Sequence, residues 1–187
     1  PTLLSTAASP QPLKQVSLDL RGLYRNSPIS FLGILLVGIA NGAYGTLGAV
    51  FGRQVGLTDS NVALMMSTTI FAGAVMQFPA GRLSDMIDRR YVLAALAAVA
   101  AVAGTLIFLI EPTHVIMLIT LVGIYGATAN ALYPIAVSHA NDFATPEDFV
   151  KISGGLLLLY GIGTIIGPTI GGPIMTVTGP YGLFMIT

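Results

Sequence analysis

The sequence predicts an all-α protein built from membrane-spanning helices. Two observations carry this. Of the 187 residues, 54% are hydrophobic and 9% charged, where soluble domains hold about 25% charged residues; mean hydropathy is +0.83. The eight Lys/Arg and eight Asp/Glu residues cut the chain into charge-free intervals, five of them long enough for the roughly 20 apolar residues of a span. Net charge is zero, and no basic patch is interleaved with aromatics, so no nucleic-acid partner is expected. Without cysteine there is no disulfide or thiolate metal site. His114 and His139 fall in different loops, which speaks against a paired-histidine metal site.

Residues 1–27 open polar. Leu13, Val16, Leu20, Leu23 and Tyr24 then follow near-helical spacing with Lys14, Asp19 and Arg21 between them, the pattern of a short amphipathic helix at a membrane surface or of a solvated linker. No positively charged stretch precedes an apolar run, so the opening is not a signal peptide. It reads as a start in mid-chain, a cytoplasmic linker.

Ser27-Pro28 suits a helix start, with Ser as cap and Pro in the first turn. A first span covers 28–52, with Asn41 and Tyr44 three apart near mid-membrane and glycines giving small packing surfaces. The second, 60–81, is capped by Asp59 or Ser60 and has Gln77 and Pro79 near its inner end. The third, 91–110, is almost wholly Ala, Val, Leu and Ile, which fits a peripheral, lipid-facing helix. Glu111-Pro-Thr-His114 makes an outer turn. The fourth, 115–138, holds Tyr125, Asn130 and Tyr133, and Pro134 is expected to kink it. Asn130 is a candidate to serve the backbone group that Pro134 frees.

A second charged loop runs from His139 to Lys151, with Thr145-Pro-Glu-Asp148 as a capping arrangement for the fifth span, 150–178. Gly179-Pro180 breaks that helix. A sixth begins near Tyr181 and is incomplete over 181–187, so the sequence is expected to be a fragment. If the N-terminal end is cytoplasmic, Lys14, Arg21, Arg25, Arg82, Arg89, Arg90 and Lys151 all lie inside and only Arg53 outside, a clear positive-inside pattern.

The densest charge cluster is Gly81-Arg-Leu-Ser-Asp85-Met-Ile-Asp88-Arg89-Arg90. Gly81 and Asp85 share a face on a continuing helix; Asp85 is placed to bond backbone N–H groups at a helix start, and Arg89 to pair with Asp85. A charged turn of this kind also serves any helical membrane protein. The run resembles the signature of the major facilitator superfamily, Gly-x-Leu-x-Asp-Arg-x-Gly-Arg-Arg, between the second and third helices of a six-helix half; Met86 and Asp88 depart from it. In the fifth span, Gly163, Gly167, Pro168, Gly171 and Gly172 resemble the Gly-x-x-x-Gly-Pro-x-x-Gly-Gly motif of drug–proton antiporters of the same superfamily. That glycine groove is also an ordinary close-packing face. Both signatures stand at the expected helix count, and the resemblance covers 28–187.

The Gly-Pro motif is best known from first halves. The polar lead, and the stretch from Ser138 to Gly163, look like the second half of a group of poorly characterised bacterial carriers, which favours the C-terminal half.

The resemblance implies two halves that rock about a midplane cavity, in the bacterial inner membrane, with the other half as partner. The first and fourth helices would line the cavity, making Asn41, Tyr44, Tyr125, Asn130 and Tyr133 candidates to contact a small solute or to bond between helices. The second and fifth helices would pack on the other half, a use for the span-five glycines. Gly81, Asp85, Arg89 and Arg90 would form a conformational latch. Since every charged residue falls in a loop or at a helix end, the expected solute is neutral or amphipathic, and any proton relay belongs to the other half. Some proteins of this fold act instead as assembly partners in larger membrane complexes. No phosphate-binding loop, metal cluster or nucleophile–base set points to an enzyme or a cofactor.

Overall fold

The computed structural model describes residues 20–142 and 148–187. Six α-helices follow in order: α1 Leu20–Asn26, α2 Pro28–Gln54, α3 Asp59–Met86, α4 Arg89–Ile110, α5 Val115–Asn141 and α6 Phe149–Thr178, then a 3-10 helix over Pro180–Met185. Helices α2 to α6 are each long and apolar enough to cross a membrane. Most of the expected surface helix, and residues 145–147 of the expected cap, lie outside the described residues.

Ser27 caps α2: its Oγ accepts from the Ser30 N–H at 3.3 Å, with Pro28 in the first turn. Thr58, rather than Asp59 or Ser60, caps α3, because its extended backbone aims Oγ1 at the Asn61 N–H. Asp59 is thereby freed to pair with Arg53 across the turn at 2.8 Å. Gly56, at φ 84°, reverses the chain there, and Gly179, at φ 85°, ends α6; both need the left-handed region that glycine enters without penalty.

Two helix ends depart from expectation. Helix α3 continues through Asp85 to Met86, so most of the charged signature is helical, and the loop before α4 shrinks to Ile87 and Asp88. Helix α5 continues through His139 to Asn141, and His139 is a buried residue of its last turn, not a loop residue.

Helix α2 lies against α6 and α5, α3 against α5, and α4 against α5. The α2–α6 contact is made of glycine on both sides. A Cβ at Gly163 would stand 2.5 Å from the Leu35 carbonyl oxygen, and one at Gly38 the same distance from the Tyr160 carbonyl oxygen. Gly42 meets Thr164, and Gly167 meets Ile39 and Ala43, just as closely. The span-five groove is therefore filled by α2 of the same bundle, which corrects its expected use as a surface for the other half. The reason is register: Gly38 and Gly42 lie against the backbone of Tyr160 to Thr164, and Gly163 and Gly167 against that of Leu35 to Ala43, so the two helices meet there without side chains between them. Gly172 and Gly81 have nothing within 4 Å of a built Cβ, and Gly171 meets Leu47 and Ile186 side chains. The α3–α5 contact nests larger groups in glycine, with Asn130 over Gly73 and Thr69 over Gly126.

One end of the bundle is closed by Phe184 of the 3-10 helix. Its ring lies 5.2 Å from Phe51, 5.8 Å from Tyr125 and 6.2 Å from Tyr44. Tyr181 completes this closure by donating its hydroxyl to the Pro112 carbonyl at 2.9 Å.

Candidate functional site

A cavity of about 430 Å³ opens midway along the helices. Asn41 of α2, Ile70, Ala74 and Gln77 of α3, Asn130, Tyr133 and Pro134 of α5, and Leu157 and Tyr160 of α6 line it. Three sequence candidates, Asn41, Asn130 and Tyr133, are thus brought together. Among the described residues no charged one reaches the lining, so the wall offers hydrogen bonds, ring edges and apolar surface. Tyr133 and Tyr160 meet edge to face at 4.8 Å.

Gln77 and Tyr160 are additions to the sequence reading. The signal for Gln77 was available, since it is a carboxamide within an apolar span. Tyr160 gave none beyond standing three residues before Gly163, on the side that turns toward α2.

Tyr44 and Tyr125 lie elsewhere. Tyr44 is buried, and its hydroxyl shares a 2.9 Å hydrogen bond with Thr69 Oγ1, which also donates to the Met65 carbonyl. Tyr125 sits in the aromatic cluster, its hydroxyl buried and without a hydrogen-bond partner among the described residues. For Tyr125, helix geometry explains the split. The five residues from Tyr125 to Asn130 turn a helix by roughly 140°, and the three from Asn130 to Tyr133 leave them about 60° apart. Tyr125 instead borders a second, largely apolar space of about 470 Å³ between α2, α4 and α5.

Asn130 does not serve the backbone group freed by Pro134, which is its own carbonyl. Its side-chain nitrogen donates to the Gly126 carbonyl at 2.9 Å and to the Thr69 carbonyl of α3 at 3.3 Å.

At the bundle end where α3 meets α4, Arg89 gathers the charged residues. Its Nη2 lies 3.0 Å from Asp85 Oδ1, its Nη1 donates to Ser84 Oγ at 3.2 Å, and its Nε donates to Asp142 Oδ2 at 2.8 Å. Asp88, not Asp85, caps α4, accepting the Arg90 N–H at 2.9 Å. Asp85 belongs to the last turn of α3 and is held by Arg89, so no free helix start faces it. Arg90, exposed, lines the polar cleft between these groups together with His139. Asp142, which links this cluster to α5, escaped the sequence reading because its loop position looked ordinary.

The family profile described as Major Facilitator Superfamily matches residues 30–187. The chain belongs to this superfamily.

Among relatives, the chain is 31% identical over 145 residues to the uncharacterised MFS-type transporter YcaD of Escherichia fergusonii, covering 78% of this chain and 37% of that protein. A second uncharacterised MFS-type transporter, from Enterobacter sp. (strain 638), is 30% identical over the same shares. YcaD of Salmonella arizonae is 27% identical, again over 78% and 37%. The chain therefore spans little more than a third of the length of these curated relatives. Its superfamily membership and five apolar helices make it a multi-pass membrane protein.

Proposed function

We propose that this chain is one half of a secondary transporter, the C-terminal one, which moves a small neutral or amphipathic solute by alternating access. The observation that carries the reading is the cavity where α2, α3, α5 and α6 converge, lined by carboxamides, tyrosines and apolar groups without a charge. A charged solute would lose its hydration there without gaining a counter-ion. The relatives bear the name of transporters, which favours this reading over that of an assembly partner.

Exposed apolar residues on α3 and α6 outside the cavity lining, among them Phe71, Val75, Phe78 and Ile165, offer the surface for the other half. The Arg89 cluster lies at the cytoplasmic end by the positive-inside count, in the bacterial inner membrane. There Asp85, more than two-thirds exposed although paired with Arg89, is the group that meets the other half when the inner side closes. Proton coupling, if the carrier uses it, draws its carboxylate from that half.

The test uses the full-length protein in proteoliposomes, with gradient-driven uptake measured over neutral and cationic solutes. Uptake that falls in both Asn41→Ala and Asp85→Asn supports the cavity and the latch. Uptake indifferent to Asn41→Ala and to Tyr160→Ala removes the cavity from the reading.

A further inference from the structure

One polar group in the cavity has its hydrogen-bonding character fixed by the fold. The Asn130 carboxamide faces the Gly126 and Thr69 carbonyl oxygens. Both neighbours are pure acceptors, so the nitrogen must be the atom turned toward them; the flipped amide would set oxygen against two oxygens. Its two N–H groups are thereby used. A swing away is hindered, because Gly73 lies so near that a Cβ on it would stand 2.6 Å from Asn130 Cβ. What remains is Oδ1, which accepts no hydrogen bond among the described residues. Asn41 and Gln77, by contrast, hold no side-chain hydrogen bond to described residues and can present either an N–H or a carbonyl. The site is thus biased: one acceptor is rigid, and its other carboxamides adapt.

Resting on the reading of this cavity as the solute site, we propose that it selects a planar, uncharged amphipath that donates an N–H or O–H hydrogen bond to Asn130 Oδ1. Its ring lies against the Tyr133–Tyr160 pair, whose edge-to-face packing leaves π-surface and ring edge for a third aromatic group. A solute with only acceptors would set oxygen against Oδ1 and leave both desolvated and unpaired.

Two probes of nearly the same shape separate the terms: benzamide, and acetophenone, in which a methyl group replaces the NH2. Binding to the full-length protein in detergent is read from the ligand-dependent shift in thermal unfolding. Benzamide is expected to bind about three- to tenfold more tightly, the worth of one net hydrogen bond. Asn130→Leu should bring that ratio to about one, while Tyr160→Ala weakens both probes and keeps the ratio. Equal or tighter binding of acetophenone, or a ratio unchanged in Asn130→Leu, overturns the donor requirement and leaves the cavity as a site. If neither probe binds, or if both bind indifferently to Tyr160→Ala, the cavity itself fails as a solute site, and this inference with it.

Discussion

Arg89 and Asp142 stand 53 residues apart in sequence and meet at 2.8 Å, Nε to Oδ2, joining the start of α4 to the end of α5. The same guanidinium reaches Asp85 and Ser84 of α3. Three helix ends are thus gathered on one planar fork, a geometry that a single ammonium cannot reproduce.

Replacing Arg89 should therefore matter more than its surface setting suggests, and Arg89→Lys should recover only part of the loss. A double-mutant cycle of Arg89→Gln with Asp142→Asn should give a coupling of about 0.2–1 kcal/mol, the range of partly exposed pairs, and it should shrink in about 1 M salt. Chemical unfolding in micelles reads it. A coupling near zero would mean that the bridge is geometry without energy.

Gly167→Val should abolish the folded protein. The new side chain meets the α2 backbone at Ile39 and Ala43, which has no torsion to yield. The cost should exceed the roughly 1–3 kcal/mol of ordinary overpacking. Gly161→Ala and Gly172→Ala, with nothing near their Cβ positions, should fold normally. Yield of monodisperse protein on gel filtration distinguishes the three.

The two buried tyrosines should respond in opposite ways. Tyr44→Phe loses the bond to Thr69, and because Thr69 still donates to Met65, the loss should stay near 1 kcal/mol. Tyr125→Phe removes a buried hydroxyl that makes no hydrogen bond of ordinary length among the described residues, so stability should hold or rise. Thermal unfolding of both variants side by side tests the contrast.

Phe184→Ala should cost about 3–5 kcal/mol, since the ring fills the space between Phe51, Tyr125 and Tyr44. The α2 and α5 segments beside it should then lose protection first in hydrogen exchange.

The helices were legible because charge is excluded from the bilayer core: intervals bounded by Asp59, Arg82, Arg90 and Glu111 nearly coincide with α3 and α4. Their ends were less so. Amphipathic ends such as Ser84-Asp85-Met86 and Ser138-His139 continue a helix beyond the last apolar residue, since backbone bonding persists past the point where hydropathy falls. The cavity was half legible. A polar residue in an apolar span marks itself, as Asn41, Asn130 and Tyr133 did, but its direction depends on helix rotation, and Tyr125 faces away for that reason alone. The partner of the glycine groove could not be read locally, because it depends on the register of Gly38 and Gly42 on a helix more than a hundred residues away.

That register has a mechanical consequence. Along the stretch where Gly38 and Gly42 of α2 and Gly163 and Gly167 of α6 lie in contact, main chain bears on main chain, and no rotamer stands between them to take up a displacement. Side-chain interfaces absorb small shear by rotating χ angles; this one has none to rotate. The two helices consequently transmit a push at one end to the other as a single beam, and compliance is left to the contacts around it.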